Sequence, residues 1–237
     1  MLWDEVTQTL YRPFLNVPAT FDNVGAITST GDAKPVSYLE YIETAGTQYV
    51  DTEVIGRTGT KAEADMEWLA LGSDFGLLDA RGTYDGNDRI LLIHSHQSCM
   101  SLGYGTWIQN SNAPRYATDT RYTITSDFRV GSQTVVVNGA TVYSGASSAT
   151  YDTGRNLYLF GNNRAGTVEN LSSVRLYGLK IWQDGELVRD FRPVLLDSGF
   201  AALWDKVSER VFVSNMPFSA VGPVTRKFNS GTVIIVR

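Results

Sequence analysis

From residue 38 onward the sequence runs as short β-prone segments punctuated by Gly, Asn and Asp, and no helical spacing of apolar residues is sustained. Tyr122-Thr123-Ile124-Thr125-Ser126-Asp127-Phe128 alternates. So do Leu39-Glu40-Tyr41-Ile42-Glu43 and Leu157-Tyr158-Leu159-Phe160, the latter held between Asn156 and Gly161. A period of two is what a strand with one buried face requires. Arg89-Ile90-Leu91-Leu92-Ile93 is apolar without alternation, which suits a central strand covered on both faces. Asp85-Gly86-Asn87-Asp88 is turn chemistry, and Asn138-Gly139 and Asp184-Gly185 are two-residue hairpin signals between apolar runs. Many short strands with turns at this spacing specify a sandwich or barrel.

A chain of 237 residues accommodates one large β domain or two small ones, and 43% apolar, 11% aromatic and 19% charged residues describe a globular core. The net charge of −5, with no basic cluster, argues against nucleic acid and against an anionic membrane surface. No apolar run approaches the ~18 residues of a membrane helix, so no membrane insertion is expected. Leu2-Trp3-Asp4-Glu5 after Met1 supplies neither a basic nor an apolar region, so no signal peptide is expected in this chain. Cys99 is the single cysteine and is read as a small buried residue.

The chain also repeats itself. Leu2-Trp3-Asp4-Glu5-Val6-Thr7 returns as Leu203-Trp204-Asp205-Lys206-Val207-Ser208, and Phe21-Asp22-Asn23-Val24-Gly25 then parallels Phe218-Ser219-Ala220-Val221-Gly222. Two matching blocks in the same order favour duplication over coincidence. Residues 1–27 therefore read as a partial repeat of a closing hairpin, 28–37 as a linker, 38–224 as the domain, and 225–237 as a terminal strand or tail with Thr232–Val236 as the strand.

Specific motifs mark the ends of the domain. Tyr41-Ile42-Glu43-Thr44-Ala45-Gly46-Thr47-Gln48-Tyr49-Val50-Asp51-Thr52 resembles the opening of a laminin-G-like, concanavalin A-like domain of gut-bacterial surface proteins and their phages. Tyr177 through Trp182, Leu187 through Val194, and Gly199 through Val207 are similar to its closing motif, and Val135 through Gly139 to its mid-domain hairpin. The resemblance implies an all-β, two-sheet antiparallel jelly-roll sandwich with adjacent first and last strands, here with an added N-terminal hairpin segment. It also implies an extracellular, cell-surface or phage-virion setting and a glycan or protein partner. It implies no single activity, because such folds host many.

Strand alternation points Glu63, Asp65 and Glu67 to one face, and the resemblance to jelly-roll endoglucanases would make Glu63 the nucleophile, Asp65 its orienting partner and Glu67 the acid/base. The preferred reading is a half-exposed strand with Ala62, Ala64, Met66 and Trp68 toward the core and the carboxylates solvated. His94, His96 and Cys99 offer three zinc ligands but no fourth, so partnered strand histidines are preferred. Asp85, Asn87 and Asp88 could hold calcium, though no complete hard-cation loop pattern is present, and no cofactor is otherwise expected. Sugar recognition needs an exposed aromatic face with planar amides, carboxylates or guanidinium groups around it. Three polar stretches offer these: Arg81, Tyr84, Asp88 and Arg89; Trp107, Asn110 and Tyr116; and Asn162, Asn163 and Arg164. The expected function is a non-catalytic binding or structural surface module, which the N-terminal hairpin could link into an oligomer or array.

Overall fold

Alternating segments pair edge to edge and stack face to face. The computed structural model describes residues 2–4, 9–11, 34–83, 88–109 and 115–228, among which no helix occurs. The path of the twelve-stranded sheet runs Ala140–Gly145, Ser132–Val137, Arg121–Arg129, Thr60–Trp68, Val174–Gln183, Glu186–Leu196, Ala201–Asp205, Arg210–Phe212. The seven-stranded sheet runs Thr167–Glu169, Asn162–Arg164, Asp74–Arg81, Asp152–Leu159, Val50–Arg57; Arg89–His96 pairs with Asp74–Arg81 and carries Cys99–Gln109 beyond it. Met66, Trp68, Ile124, Phe128, Leu176 and Ile181 of the larger sheet share one buried core with Val54, Ala80, Ile90, Leu92, Leu157 and Leu159 of the smaller. The opening strands Pro35–Leu39 and Ile42–Glu43 pair with the closing strands Val224–Lys227 and Ala220–Val221. The fold is an all-β jelly-roll sandwich.

Turn chemistry does what its residues allow. Asn138 and Gly139 take φ of 49° and 82°, and Asp184 and Gly185 take 52° and 88°, the left-handed pair that a tight hairpin needs to match strand twist. Asn138 also accepts the Thr123 amide through Oδ1, fastening the turn to the neighbouring strand.

Four features differ from the sequence expectations. Leu39 through Glu43 is not one alternating strand: Pro35–Leu39 pairs with Glu186–Leu196, whereas Ile42–Glu43 pairs with Val174–Gln183. The step between partners changes the phase, so Leu39 and Ile42 both face the core. Pro35 to Ser37, assigned to linker, belong to a strand, because Leu196 and Leu195 offer them an open sheet edge. Asn162 to Arg164, read as a loop, form a short strand parallel to Asp74–Arg81, the one parallel pairing among the described strands. Finally, Val224–Lys227 crosses the expected boundary at 224. Thr232–Val236 lies outside the described residues.

Of the N-terminal segment, Leu2–Asp4 and Thr9–Tyr11 are described and pair antiparallel as a separate two-stranded sheet. Its register sets Leu2 against Tyr11 and Asp4 against Thr9. The closing hairpin sets Leu203 against Phe212 and Asp205 against Arg210. The two hairpins thus share their spacing residue for residue.

Candidate functional site on the outer face of the smaller sheet

Bulges decide which side chains leave the core. Leu91 pairs with Gly103 but His94 pairs with Ser101, so Arg89–His96 holds one residue more than its neighbour over this interval. Leu92 and Ile93 are both buried in the core as a result, and His94 and His96 turn outward with Arg89 and Leu91. Matching irregularities in Asp74–Arg81 bury Leu77 and Leu78 together and leave Asp74, Asp79 and Arg81 outward. Gly76 is needed here, because a Cβ on it would stand 2.5 Å from Asp79 Oδ2.

At one end of this face lies a chain of charge. Nδ1–H of His94 donates to Asp79 Oδ2 at 2.6 Å and Nε2–H donates to Asp74 Oδ1 at 3.3 Å, while His96 Nδ1 meets the same Asp74 oxygen at 2.8 Å. Ionised carboxylates only accept, so the imidazolium form of His94 is the one that can donate to both. Burial works against that charge, but Asp79 and Asp74 outweigh it and hold His94 above its ordinary value of 6.5. The hydrogen bond from His94, helped by His96, holds Asp74 below the usual carboxylate value, whereas burial pushes Asp79 up against the pull of His94. The half-buried Trp107 stands edge-on to both imidazoles, with centroids 5.1 and 5.3 Å away. His94 is therefore occupied by Asp74 and Asp79 rather than disposed toward a metal.

At the other end three arginines form a row. Arg89 is registered opposite Arg81 across an antiparallel pair, and Arg164 opposite Arg81 across the parallel one. The stem of Arg89 lies across Gly103, where a Cβ would stand 2.9 Å from Arg89 Cγ. Arg164 binds both carboxylate oxygens of Glu169 at 3.0 Å. Neither Arg81 nor Arg89 has a hydrogen-bond or ion-pair partner among the described residues, and the Nε of each is buried. Burial and the charges of Arg81 and Arg164 pull Arg89 below the ordinary arginine value. Asn162 and Tyr158 are both registered beside Asp79, and the Tyr158 ring stacks on Tyr49 at 4.8 Å. Asp79 Oδ1, Asn162 Oδ1 and Ser101 Oγ are likewise buried without partners among the described residues. Buried polar atoms are nearly always satisfied, so this concentration on one face marks it out.

The three polar stretches of the sequence thus supply one surface: Arg81, Arg89, Asn162, Arg164 and Trp107 all belong to it. Asp88 serves the turn instead, its Oδ1 accepting from the amide and hydroxyl of Thr83. Asn163 is structural too, donating to the Asn156 carbonyl and accepting from the Gly166 amide. Tyr116 is not at the site: it packs on Trp68 and Tyr122 in the core, where burial drives its hydroxyl far above its ordinary value. Tyr84, Asp85, Asn87 and Asn110 lie outside the described residues. Asp74, Asp79, Tyr158 and Tyr49 were not among the sequence candidates; His94 and His96, preferred in the sequence as partnered strand histidines over zinc ligands, are bonded to Asp79 and Asp74.

The carboxylate row occupies the outer face of the other sheet, opposite a core made by Ala62, Ala64, Met66 and Trp68. Arg121 clasps Asp65 through two bonds of 2.7 Å and lies over the Tyr177 ring. Glu67 accepts from Arg175 at 2.9 Å and from the Tyr177 hydroxyl, and Glu63 lies 3.8 Å from Lys180. Each carboxylate is engaged by a cation of its own sheet. A concavity of about 490 Å³ opens beside them, lined by Tyr38, Tyr177, Arg121, Arg192 and Lys206 among others.

Two stacked sheets, the smaller with a polar, aromatic-bearing outer face, make a β-sandwich of the jelly-roll kind. The sequence matches no known protein family and no curated protein. Among solved structures, a Bacteroides ovatus protein provisionally described as carbohydrate-binding is similar over 80% of this chain and 62% of its own, at 9% identity with a TM-score of 0.56. This chain therefore spans less than two thirds of that protein. More distant are the family 40 carbohydrate-binding module of the Ruminococcus gnavus IT-sialidase, solved with α2,3-sialyllactose, and a galectin of Caenorhabditis elegans. The first has a TM-score of 0.45 at 12% identity over 65% of this chain and 90% of its own. The second has 0.39 at 14% identity over 61% and 96%. Such identities speak to the fold alone.

Proposed function

We propose that the chain is a non-catalytic carbohydrate-binding module of the laminin-G-like kind, displayed outside the cell or on a virion, and that sugar binds the outer face of the seven-stranded sheet. One observation carries this reading: the outer face of the sheet gathers Arg81, Arg89 and Asn162, with buried polar atoms that lack partners among the described residues, at one end and Trp107, edge-on to His94 and His96, at the other. A half-buried indole supplies the apolar contact for a pyranose, and amide and guanidinium groups supply hydroxyl recognition. The Bacteroides protein of the same fold has a description in keeping with it. Trp107→Ala is expected to weaken binding to whichever glycan the intact chain selects on a glycan array by about tenfold or more, as loss of a central aromatic anchor does. If no glycan binds, or if the substitution leaves binding unchanged, this site is wrong.

The matched hairpins favour a role in an array or assembly as well. Leu203 and Phe212 are buried in the core, and the residues in the same register at the N-terminus are Leu2 and Tyr11. A hairpin of that composition needs a core of its own to cover, on a neighbouring copy or another protein. Deleting residues 1–33, which spares the strand Pro35–Leu39, is expected to abolish self-association in analytical ultracentrifugation. An unchanged oligomeric state would remove this part of the reading.

A further inference from the structure

We propose that the sugar taken by this face is acidic, and that Arg81 and Arg89 bind its carboxylate. The inference rests on the reading of this face as a sugar site and adds the chemical class of the ligand.

Like charges directly opposite each other on paired strands oppose folding, and here Arg89, Arg81 and Arg164 face one another across two strand pairs. A surface without a use for them would intersperse the opposite sign. Only Arg164 is answered in the described residues by an adjoining carboxylate bond, from Glu169. Several other arginines of the two sheets are paired, Arg121 with Asp65, Arg57 with Asp184 and Arg210 with Glu53, whereas Arg81 and Arg89 stand opposite each other with neither paired among the described residues. Asp79 acts on Arg81 and Asp88 on Arg89 electrostatically, but neither carboxylate makes a hydrogen bond or ion pair with its arginine, so both guanidinium groups keep their donors for a ligand.

The two groups are also immobilised. The stem of Arg89 is laid across Gly103, and the Nε atoms of Arg81 and Arg89 are withdrawn from solvent while lacking acceptors. A guanidinium presents its donors as a planar fork, which matches a carboxylate in bidentate fashion and a ring hydroxyl less well. The unpartnered Oδ1 atoms of Asn162 and Asp79 lie in the same register and can accept from hydroxyls of the same sugar ring. The site therefore offers cations for one substituent and acceptors for the others. That division fits a uronic or sialic acid better than a neutral hexose.

Calorimetric titration of the full chain with uronic-acid and sialic-acid oligosaccharides, beside neutral and sulfated sugars, tests this. At least one carboxylated sugar is expected to bind about tenfold or more tighter than its neutral counterpart, with affinity falling as salt is raised. Arg81→Gln and Arg89→Gln are each expected to lose about tenfold or more of that affinity, with Arg→Lys at either position recovering only part, since a point charge lacks the fork. The same Arg→Gln variants are expected to melt at or above the temperature of the parent, because a like-charge opposition is relieved. A fall in affinity without a fall in stability separates ligand binding from mere support of the fold. Equal binding of neutral sugars with the arginine variants unaffected would overturn the acidic ligand and leave the sugar site standing. Preference for a sulfated sugar would overturn the carboxylate. No binding of any sugar would remove both readings.

Discussion

Asp205→Ala is expected to lower the melting temperature by about 10 °C. Asp205 is fully buried, and its carboxylate closes the hairpin that ends the larger sheet. Oδ1 accepts the amides of Asp190 at 2.8 Å and Val207 at 3.2 Å, and Oδ2 accepts the amide and hydroxyl of Ser208 at 3.2 and 2.6 Å. Hydrogen bonds to a charged acceptor contribute ~1.5–3 kcal/mol, and a buried donor stranded without one costs ~1–3 kcal/mol. A net loss of about 3 kcal/mol is a cautious sum, and at ~2–4 °C per kcal/mol for a chain of this size it gives the stated shift. Asp205→Asn keeps one oxygen and is expected to lose less. Thermal unfolding of both variants checks the order; an alanine variant that melted with the parent would show that the carboxylate does not hold the turn.

Asp79→Leu is expected to cost about 3–5 kcal/mol at a pH low enough to charge His94, because it then leaves a buried imidazolium without its closest counter-charge. Replacing both partners, Asp79→Leu with His94→Leu, is expected to recover most of the loss, since a desolvated pair and an apolar pair are often near parity. The pH dependence follows from the same contacts. His94 titrates above its ordinary value of 6.5 in the folded protein, so its contribution is complete below that value and is lost as the pH rises through the raised one. Asp74 is held below 3.8, so its contribution is present above that value and is lost as the pH falls through the lowered one. Melting temperatures across the pH range should therefore decline on the alkaline side in the parent and decline less in the double variant. Identical alkaline limbs would show that His94 is not the group responsible.

The fold was legible where local chemistry is strong. Asn138-Gly139 and Asp184-Gly185 announced hairpins because few residue pairs tolerate left-handed φ in succession, and the alternation of Tyr122 to Phe128 announced the buried face of its strand. Leu39 to Glu43 misled because a strand that changes partners changes phase, and its composition carries no sign of the change. The site was half legible. Arg81, Arg89, Asn162, Arg164 and Trp107 stood out as polar or aromatic residues in loop-like stretches, but their meeting depends on a parallel pairing between remote segments. Asp79 and its bond to His94 were hidden for a different reason: the apolar run from Ile90 to Ile93 has no period, so the bulge within it cannot be located from composition.

That bulge makes the site a matter of counting. Pairing the same residues without that bulge would swing His94 and His96 into the sandwich and deliver Ile93 to the surface, whereas changing the identity of Arg81, Arg89 or Trp107 leaves the phase of every core residue as it was. The outer face can thus diverge by substitution alone, while an insertion or deletion away from the bulge reverses the phase of every residue beyond it.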